Sequence, residues 1–422
     1  MLISLKINNC MIYSSEVEMS LKANMHHRRF PNNVSNIGDV NVLKTAILIG
    51  PNNSGKTNFV RILKMLKKLM LGQNIGLEKN IFSDNPIVEL GVSFFESDSE
   101  YLFEVKYDSF KKEYIYERFA QVKYDKHKNM KIVDKLVRDI SNKYFYAEDI
   151  GLPDAMSVAS RNNIIIYLVD TENFPCLQKI KNIIVGFASK IDIINMNNIP
   201  IKKTIEMLKA SDQLHQKISN FVLNADLNLE DFKYLNDDEV KIMWGSNRIQ
   251  GDLKAEESAL APEIQIMEML HLASVYKGVT VPSLIFDSTG TKKMAALASY
   301  VISALENSRI LVVDELDNSL HFRLTRGIIA LFNNELNSNA QLIATVHDVS
   351  LLDCQKLFRK EQIWFTHKDK ENVYLYSLAE FTAEKYGIRD TSDIIEKYRK
   401  GVFGALPEPD LFQSLLEVKQ DG

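Results

Sequence analysis

The feature that most constrains this chain is the octapeptide Gly50-Pro51-Asn52-Asn53-Ser54-Gly55-Lys56-Thr57. It follows Ala46-Ile47-Leu48-Ile49, a short apolar run that reads as a buried strand. It precedes Phe59, Ile62, Leu63, Leu66 and Met70 at helical spacing, with Arg61, Lys64, Lys67 and Lys68 on the other faces, where the lysines are expected to meet water. A loop of the pattern G-x-x-x-x-G-K-[ST] between a strand and a helix wraps its backbone N–H groups around an anion at the helix N-terminus. In this setting Gly50 to Thr57 are expected to hold the phosphates of ATP. Lys56 would reach the β- and γ-phosphates, and Thr57 would offer a hydroxyl to Mg²⁺.

A loop of this kind needs a sheet around it, and the last third of the chain supplies one. Ile310–Val313, Gln341–Thr345, Gln362–Phe365 and Val373–Tyr376 read as strands, and 291–306 and 320–335 as helices. This alternation predicts a mostly parallel sheet with ligands at its carboxyl edge. Elsewhere, residues 2–9 alternate as a half-buried strand does, and 11–44 are polar and irregular. Residues 86–123 are β-branched and aromatic, and read as an antiparallel meander. From about 128 to 235 the pattern is mostly helical, with NNIIIYLVD as a buried exception, and 239–244 reads as a tryptophan-containing strand. The expected organisation is one discontinuous domain, 1–127 with 256–422, and a mostly helical insertion, 128–255, acting as a lid or a partner-docking unit. The insertion has no heptad repeat long enough for a coiled-coil arm.

Three further sites carry chemistry. The run ending in Val313-Asp314-Glu315 brings two carboxylates to a strand end, where Asp314 would hold the Mg²⁺ shell and Glu315 polarise the attacking water. His347 lies just past the strand 341–345, placed to bond a γ-phosphate or the water. Ser288-Thr289-Gly290-Thr291-Lys292-Lys293 opens a helix and makes a second anion site, or an ordinary N-cap by Ser288 or Thr289. A second phosphate site is needed if two chains sandwich one nucleotide. The cluster Met25-His26-His27-Arg28-Arg29-Phe30 reads as a solvated loop.

The ordered set GPNNSGKT, STGTKK, VVDELDNSLH and ATVHD resembles ABC-type ATPases of the SMC and RecF kind. More closely it resembles the stand-alone ATPases related to the OLD proteins, including the RloA/AbiL-like and Septu-type ATPases of bacterial phage defence. The resemblance extends to the QIWF strand, the YSL segment at 376–378 and the Phe403-Gly404-Ala405-Leu406-Pro407 ending. It implies an α/β ABC-type P-loop ATPase with a mixed sheet, an antiparallel β meander and a helical insertion. Ser288 and Gly290 take the place of the signature that contacts ATP held by an opposite chain. Asp317, Asn318 and Ser319 take that of the D-loop, and His347 that of the switch histidine. His321 departs from the Asp common there, and Gln121 is the candidate for the Q-loop glutamine.

Composition bears on partners and compartment. The net charge of −4 leaves no global basic excess, so DNA binding would need a local patch. Cys10, Cys176 and Cys354 match no zinc or disulfide framework, which suggests a reducing compartment. No stretch is long and apolar enough to span a bilayer, and the start lacks a signal-peptide pattern, so a cytoplasmic protein is expected. About 75 residues follow His347 and look occupied by closing strands and helices, leaving no room for the Toprim domain of full-length OLD proteins. The reading is therefore an ATP-hydrolysing dimer or higher oligomer that senses phage infection and controls a separate effector, a Toprim or HNH nuclease. A RecF/SMC-like DNA-repair ATPase and a slow nucleotide-gated scaffold are the alternatives.

Overall fold

Strands without a polar face must be covered on both sides, and Thr45–Ile49, Ile310–Asp314 and Gln341–Val346 are buried at every residue. The computed structural model describes residues 1–406 apart from 28, 126, 128, 149–160, 226–227, 245–266, 370–371 and 390. In it these three strands run parallel inside a six-stranded sheet.

Along the chain the first elements are β1 (Leu2–Asn8), β2 (Val17–Ser20), β3 (Val34–Ile37), β4 (Val40–Leu43), β5 (Thr45–Ile49) and α1 (Lys56–Met70). Next come β6 (Ile87–Glu96), β7 (Ser99–Asp108), β8 (Glu113–Tyr124), β9 (Met130–Asp139), β10 (Tyr144–Ala147), α2 (Pro175–Ser189) and β11 (Ile191–Asn195). Then α3 (Lys202–Ala210), α4 (Asp212–Leu223), β12 (Asp231–Tyr234), α5 (Asp237–Trp244), β13 (Leu272–Tyr276) and β14 (Val279–Pro282) lead to α6 (Thr289–Glu306) and β15 (Ile310–Asp314). After these come α7 (Phe322–Phe332), β16 (Gln341–Val346), β17 (Ile363–Lys368) and β18 (Val373–Ser377), followed by two short helices, Ala383–Tyr386 and Ile394–Arg399.

The six-stranded sheet has the order β11-β15-β16-β5-β17-β18, parallel throughout except for the β17–β18 pair. Alternate residues of its strands feed two cores, as the pleat requires. Ala46 and Leu48 join α1, α2 and the inner face of a seven-stranded antiparallel sheet, β10-β9-β8-β7-β6-β1-β2. Ile47 and Ile49 join α3, α4, α6 and α7 on the other side. The α/β class with a mixed sheet and an antiparallel meander is thus as expected, and both cores brace the carboxyl edge where the loop at 50–57 lies.

Several expectations are corrected. The stretch 128–255 is not helical at its start, because β9 and β10 extend the meander. The pattern of β9 is hard to read as strand because Met130, Lys131 and Ile132 are exposed in succession, on both faces, so no alternation marks its start. A buried ion pair fixes this extension: Arg138 Nε lies 2.5 Å from Glu117 Oε1, both side chains 1% exposed. Glu117 also accepts from Ile165 N–H at 3.1 and 3.0 Å, which docks the buried 3-10 turn Ile165–Tyr167 of the NNIIIYLVD segment. The same stretch supplies β11, an edge strand of the parallel sheet. Residues 239–244 belong to helix α5, because Asn236 and Glu239 cap its first turn reciprocally at 2.8–3.0 Å. The polar stretch 11–44 holds β2, β3 and β4, each four residues and too short to show a period. Lys67 does not face water freely but donates to Ile191 O, tying α1 to β11. The 255/256 boundary, Arg28 and Pro407 lie outside the described residues. Among those described, no helix is long and apolar enough to cross a membrane.

Candidate nucleotide-binding site

The loop at 50–57 is held by close backbone approaches that only particular residues permit. A Cβ on Gly50 would lie 2.2 Å from Thr366 O on β17. Gly55 sits at φ +111°, where a side chain would also meet Ile12 and Val373 at 2.9 and 3.0 Å. Ser54 Oγ bonds Thr366 Oγ1 at 2.6 Å, and Tyr13 donates to Gly55 O at 3.2 Å. The start of α1 carries no side-chain cap and no acidic residue in its first turn. Its N–H groups and positive dipole end are therefore left for an anion. Lys56 is buried and donates to Gly50 O at 2.7 Å and Pro51 O at 2.9 Å. Burial lowers its pKa from the usual lysine value, against the pull of Asp314, Asp317 and Glu315. Both of its acceptors are backbone oxygens of the loop itself, bonds that an ammonium could equally make to other oxygen acceptors.

Beside the loop, β15 and β16 end in a second group of polar residues. Asp314 is 3% exposed. Its Oδ1 accepts from Thr345 Oγ1 at 2.7 Å and from Thr57 Oγ1 at 3.4 Å. Its Oδ2 accepts from Asn195 Nδ2 at 2.9 Å. A carboxylate and a hydroxyl at that separation are hard oxygen donors suited to Mg²⁺, which is usually bound by few protein ligands and keeps room for water and phosphate. Thr345 also accepts from Glu315 N–H at 2.7 Å, so one hydroxyl joins the backbone of one acid to the side chain of the other. Glu315 has φ +59°, a conformation uncommon for a residue with a Cβ and found at functional sites. Its Oε2 accepts from Asn197 Nδ2 at 2.7 Å and Asn318 Nδ2 at 3.1 Å.

Thr345, Asn195 and Asn197 were not singled out from sequence. Asparagines after an apolar strand were the available signal at 195 and 197, hidden by reading that region as helical. Gln121 is elsewhere: on β8, donating to Ser99 Oγ at 3.0 Å. Asn195 and Asn197 stand against the acid pair instead.

The remaining candidates gather around Asp317. Its Oδ2 accepts from the N–H groups of His347 and Asp348 at 2.7 and 2.6 Å, while Oδ1 is buried without a partner among the described residues. His347 is exposed, and its imidazole makes no hydrogen bond among the described residues. Ser288 is the N-cap of α6, accepting from Thr291 N–H at 3.1 Å. A Cβ on Gly290 would stand 3.0 Å from Ser319 O, so α6 starts in close contact with the 317–319 turn. Just before it, the buried Asp287 carboxylate accepts from Ser274 at 2.6 Å, Ser283 at 2.5 Å and Tyr276 at 2.8 Å, anchoring this start to β13. His321 caps α7, its Nδ1 accepting from Arg323 N–H at 3.3 Å. Among the described residues no hydrogen bond joins Ser288 or Gly290 to the loop at 50–57. The structure thus brings together Lys56, Thr57, Asp314 and Glu315, and sets Ser288 and Gly290 beside the 317–319 turn.

Comparison with known proteins adds three findings. The profile of a family described as "AAA domain, putative AbiEii toxin, Type IV TA system" matches residues 46–353. No curated protein matches. Similar solved structures include an SMC head bound to the C-winged helix domain of ScpA, at 13% identity and TM-score 0.47, covering 90% of this chain and 99% of that one. Another is the SMC head domain from Thermotoga maritima, at 11% identity and TM-score 0.39, covering 89% and 98%.

Proposed function

Because this chain belongs to the AAA-domain family described as putative AbiEii toxin of a type IV toxin–antitoxin system, we propose that it binds and hydrolyses ATP as the regulator of a bacterial anti-phage system. The observation that carries the ATPase reading is the contact of Thr57, Asp314, Thr345 and Glu315 across three parallel strand ends. On nucleotide binding Lys56 exchanges the Gly50 and Pro51 carbonyls for phosphate oxygens, while loop N–H groups and the α1 N-terminus hold the rest. Thr57 and Asp314 would hold Mg²⁺, which when bound neutralises charge on the β- and γ-phosphates. Glu315 orients and polarises the attacking water through its second oxygen, and His347 bonds the γ-phosphate or that water. Ser288, Gly290 and the 317–319 turn act on nucleotide bound by another copy of the chain, so the working form is a dimer or larger.

The family description supports a setting in toxin–antitoxin or abortive-infection systems. The separate effector, of Toprim or HNH nuclease type, and a cytoplasmic location complete the reading. The test pairs ATP hydrolysis by the purified chain with phage plating on cells carrying it and its neighbouring gene. Lys56→Ala is expected to abolish both hydrolysis and protection. Protection that survives Lys56→Ala would reject ATP-dependent control of defence. Duplex-stimulated hydrolysis with steep salt dependence, without protection, would favour a DNA-maintenance role.

A further inference from the structure

Lys293, one turn into α6, is given no role above, yet it reaches Glu315 through one residue of the 317–319 turn. Its Nζ lies 2.8 Å from Asn318 Oδ1 and 3.1 Å from Ser319 Oγ. Asn318 in turn donates from Nδ2 to Glu315 Oε2 at 3.1 Å and to Asn197 Oδ1 at 2.9 Å. Asn197 donates to the same Glu315 oxygen at 2.7 Å.

The chemistry of these groups has a direction. A primary amide presents an oxygen on one side and an NH₂ on the other, and either orientation fits the same shape. Ser319 Oγ, 2.9 Å from Asn318 Oδ1, tolerates both orientations because a hydroxyl donates and accepts. An ammonium only donates, so Lys293 accepts one orientation alone. With the Asn318 oxygen turned to Lys293, its NH₂ must face Glu315 and Asn197. The opposite orientation would set an amide oxygen against a carboxylate. Glu315 is then held through Oε2, and its Oε1 has no hydrogen bond among the described residues.

We propose that Lys293 is a positioning residue for hydrolysis: acting within its own chain through the Asn318 amide, it anchors one oxygen of Glu315 and leaves the other to the attacking water. This rests on the reading of Glu315 as the hydrolytic carboxylate. It also links the start of α6 to that carboxylate, so a shift of α6 on engaging another chain's nucleotide would be felt at Glu315.

The test is steady-state ATPase kinetics on Lys293→Met, Asn318→Ala and the double variant. Lys293→Met is expected to lower kcat roughly 10- to 100-fold, the scale of a misplaced catalytic group, with KM for ATP within about twofold of the unmodified chain. Asn318→Ala should do the same, and the double variant should be no worse than either. A loss confined to KM, or independent losses that multiply in the double variant, would overturn the relay. Mixing separates it from the shared-site reading. Lys293→Met chains mixed with Lys56→Ala chains should gain nothing over the low activity of Lys293→Met alone, because the defect and the intact loop lie in the same chain. Ser288→Arg chains mixed with Lys56→Ala chains should recover activity. Recovery in both mixtures would place Lys293 across the interface and overturn the proposal. If the Ser288→Arg mixture fails despite proven subunit exchange, the shared-site reading fails. The double-variant result alone then decides for or against Lys293.

Discussion

Thr345→Val is the most discriminating single substitution at the strand ends. The side chain is fully buried, and valine is nearly the same shape and suits a strand, so packing is kept. What is lost is one bond to a charged carboxylate, at 2.7 Å to Asp314, and one acceptor for the Glu315 N–H, also at 2.7 Å. The first is worth about 1.5–3 kcal/mol and the second about 1 kcal/mol, giving a loss of about 2.5–4 kcal/mol in local stability. The same N–H bond helps keep Glu315 at positive φ, so its carboxylate should drift from the site and kcat should fall by about 10²-fold. Thr345→Ser keeps both bonds and removes only a methyl, so its kcat should stay within a few-fold of the unmodified chain. The assay is thermal unfolding without nucleotide alongside ATPase kinetics for both variants. Unchanged turnover in Thr345→Val, or equal losses in the two variants, would refute the reasoning.

Other expectations follow from the same contacts. Gly50→Ala should abolish ATP binding measured by calorimetry, because its Cβ would lie 2.2 Å from a backbone carbonyl that cannot swing aside; binding within threefold of unmodified would contradict the loop geometry. Arg138→Met should lower stability to denaturant by about 3–5 kcal/mol by leaving Glu117 buried without its partner, and adding Glu117→Leu should restore much of it. Burial opposes ionisation of Asp192, but the Arg309 hydrogen bond and Lys203 outweigh it and hold its carboxyl below the ordinary range. The stability it contributes is therefore present above the unfolded carboxylate pKa of about 4 and is lost as pH falls through its lower folded pKa. The stability gap between the unmodified chain and Asp192→Asn should be constant from neutral pH down to about 5 and close below about 4. A gap that closes on raising pH would show the sign to be wrong.

How much of this was legible in the sequence depended on the distance over which each signal acts. The loop at 50–57 and the acids at 314 and 315 were readable because each is announced by its own neighbours: an apolar strand, a glycine, a periodic helix. The strands β5, β15, β16 and β17 were readable because buried parallel strands are apolar at consecutive positions. Thr345 was not, since a threonine ending such a strand looks like any β-branched residue. Its role appears only when β15 and β16 pair in register and set it beside Asp314. Asn195 meets Asp314 across 119 residues of chain for the same reason. β9 was missed because its start is exposed on both faces, and α5 because an asparagine–glutamate capping pair outweighed the β-like Val240-Lys241-Ile242.

The central claim is that Lys56, Thr57, Asp314 and Glu315 form one site for ATP hydrolysis. Single-turnover measurement with γ-labelled ATP, following bound nucleotide and released phosphate together, tests it directly. The unmodified chain should bind ATP and release phosphate, and Lys56→Ala should do neither. Glu315→Gln should retain intact ATP, with phosphate release slowed by about 10³-fold or more, because the phosphate contacts remain while the water loses its carboxylate. Light scattering of that variant with ATP should show a longer-lived oligomer. Phosphate release by Lys56→Ala at the unmodified rate, or by Glu315→Gln as fast as by the unmodified chain, would contradict the account.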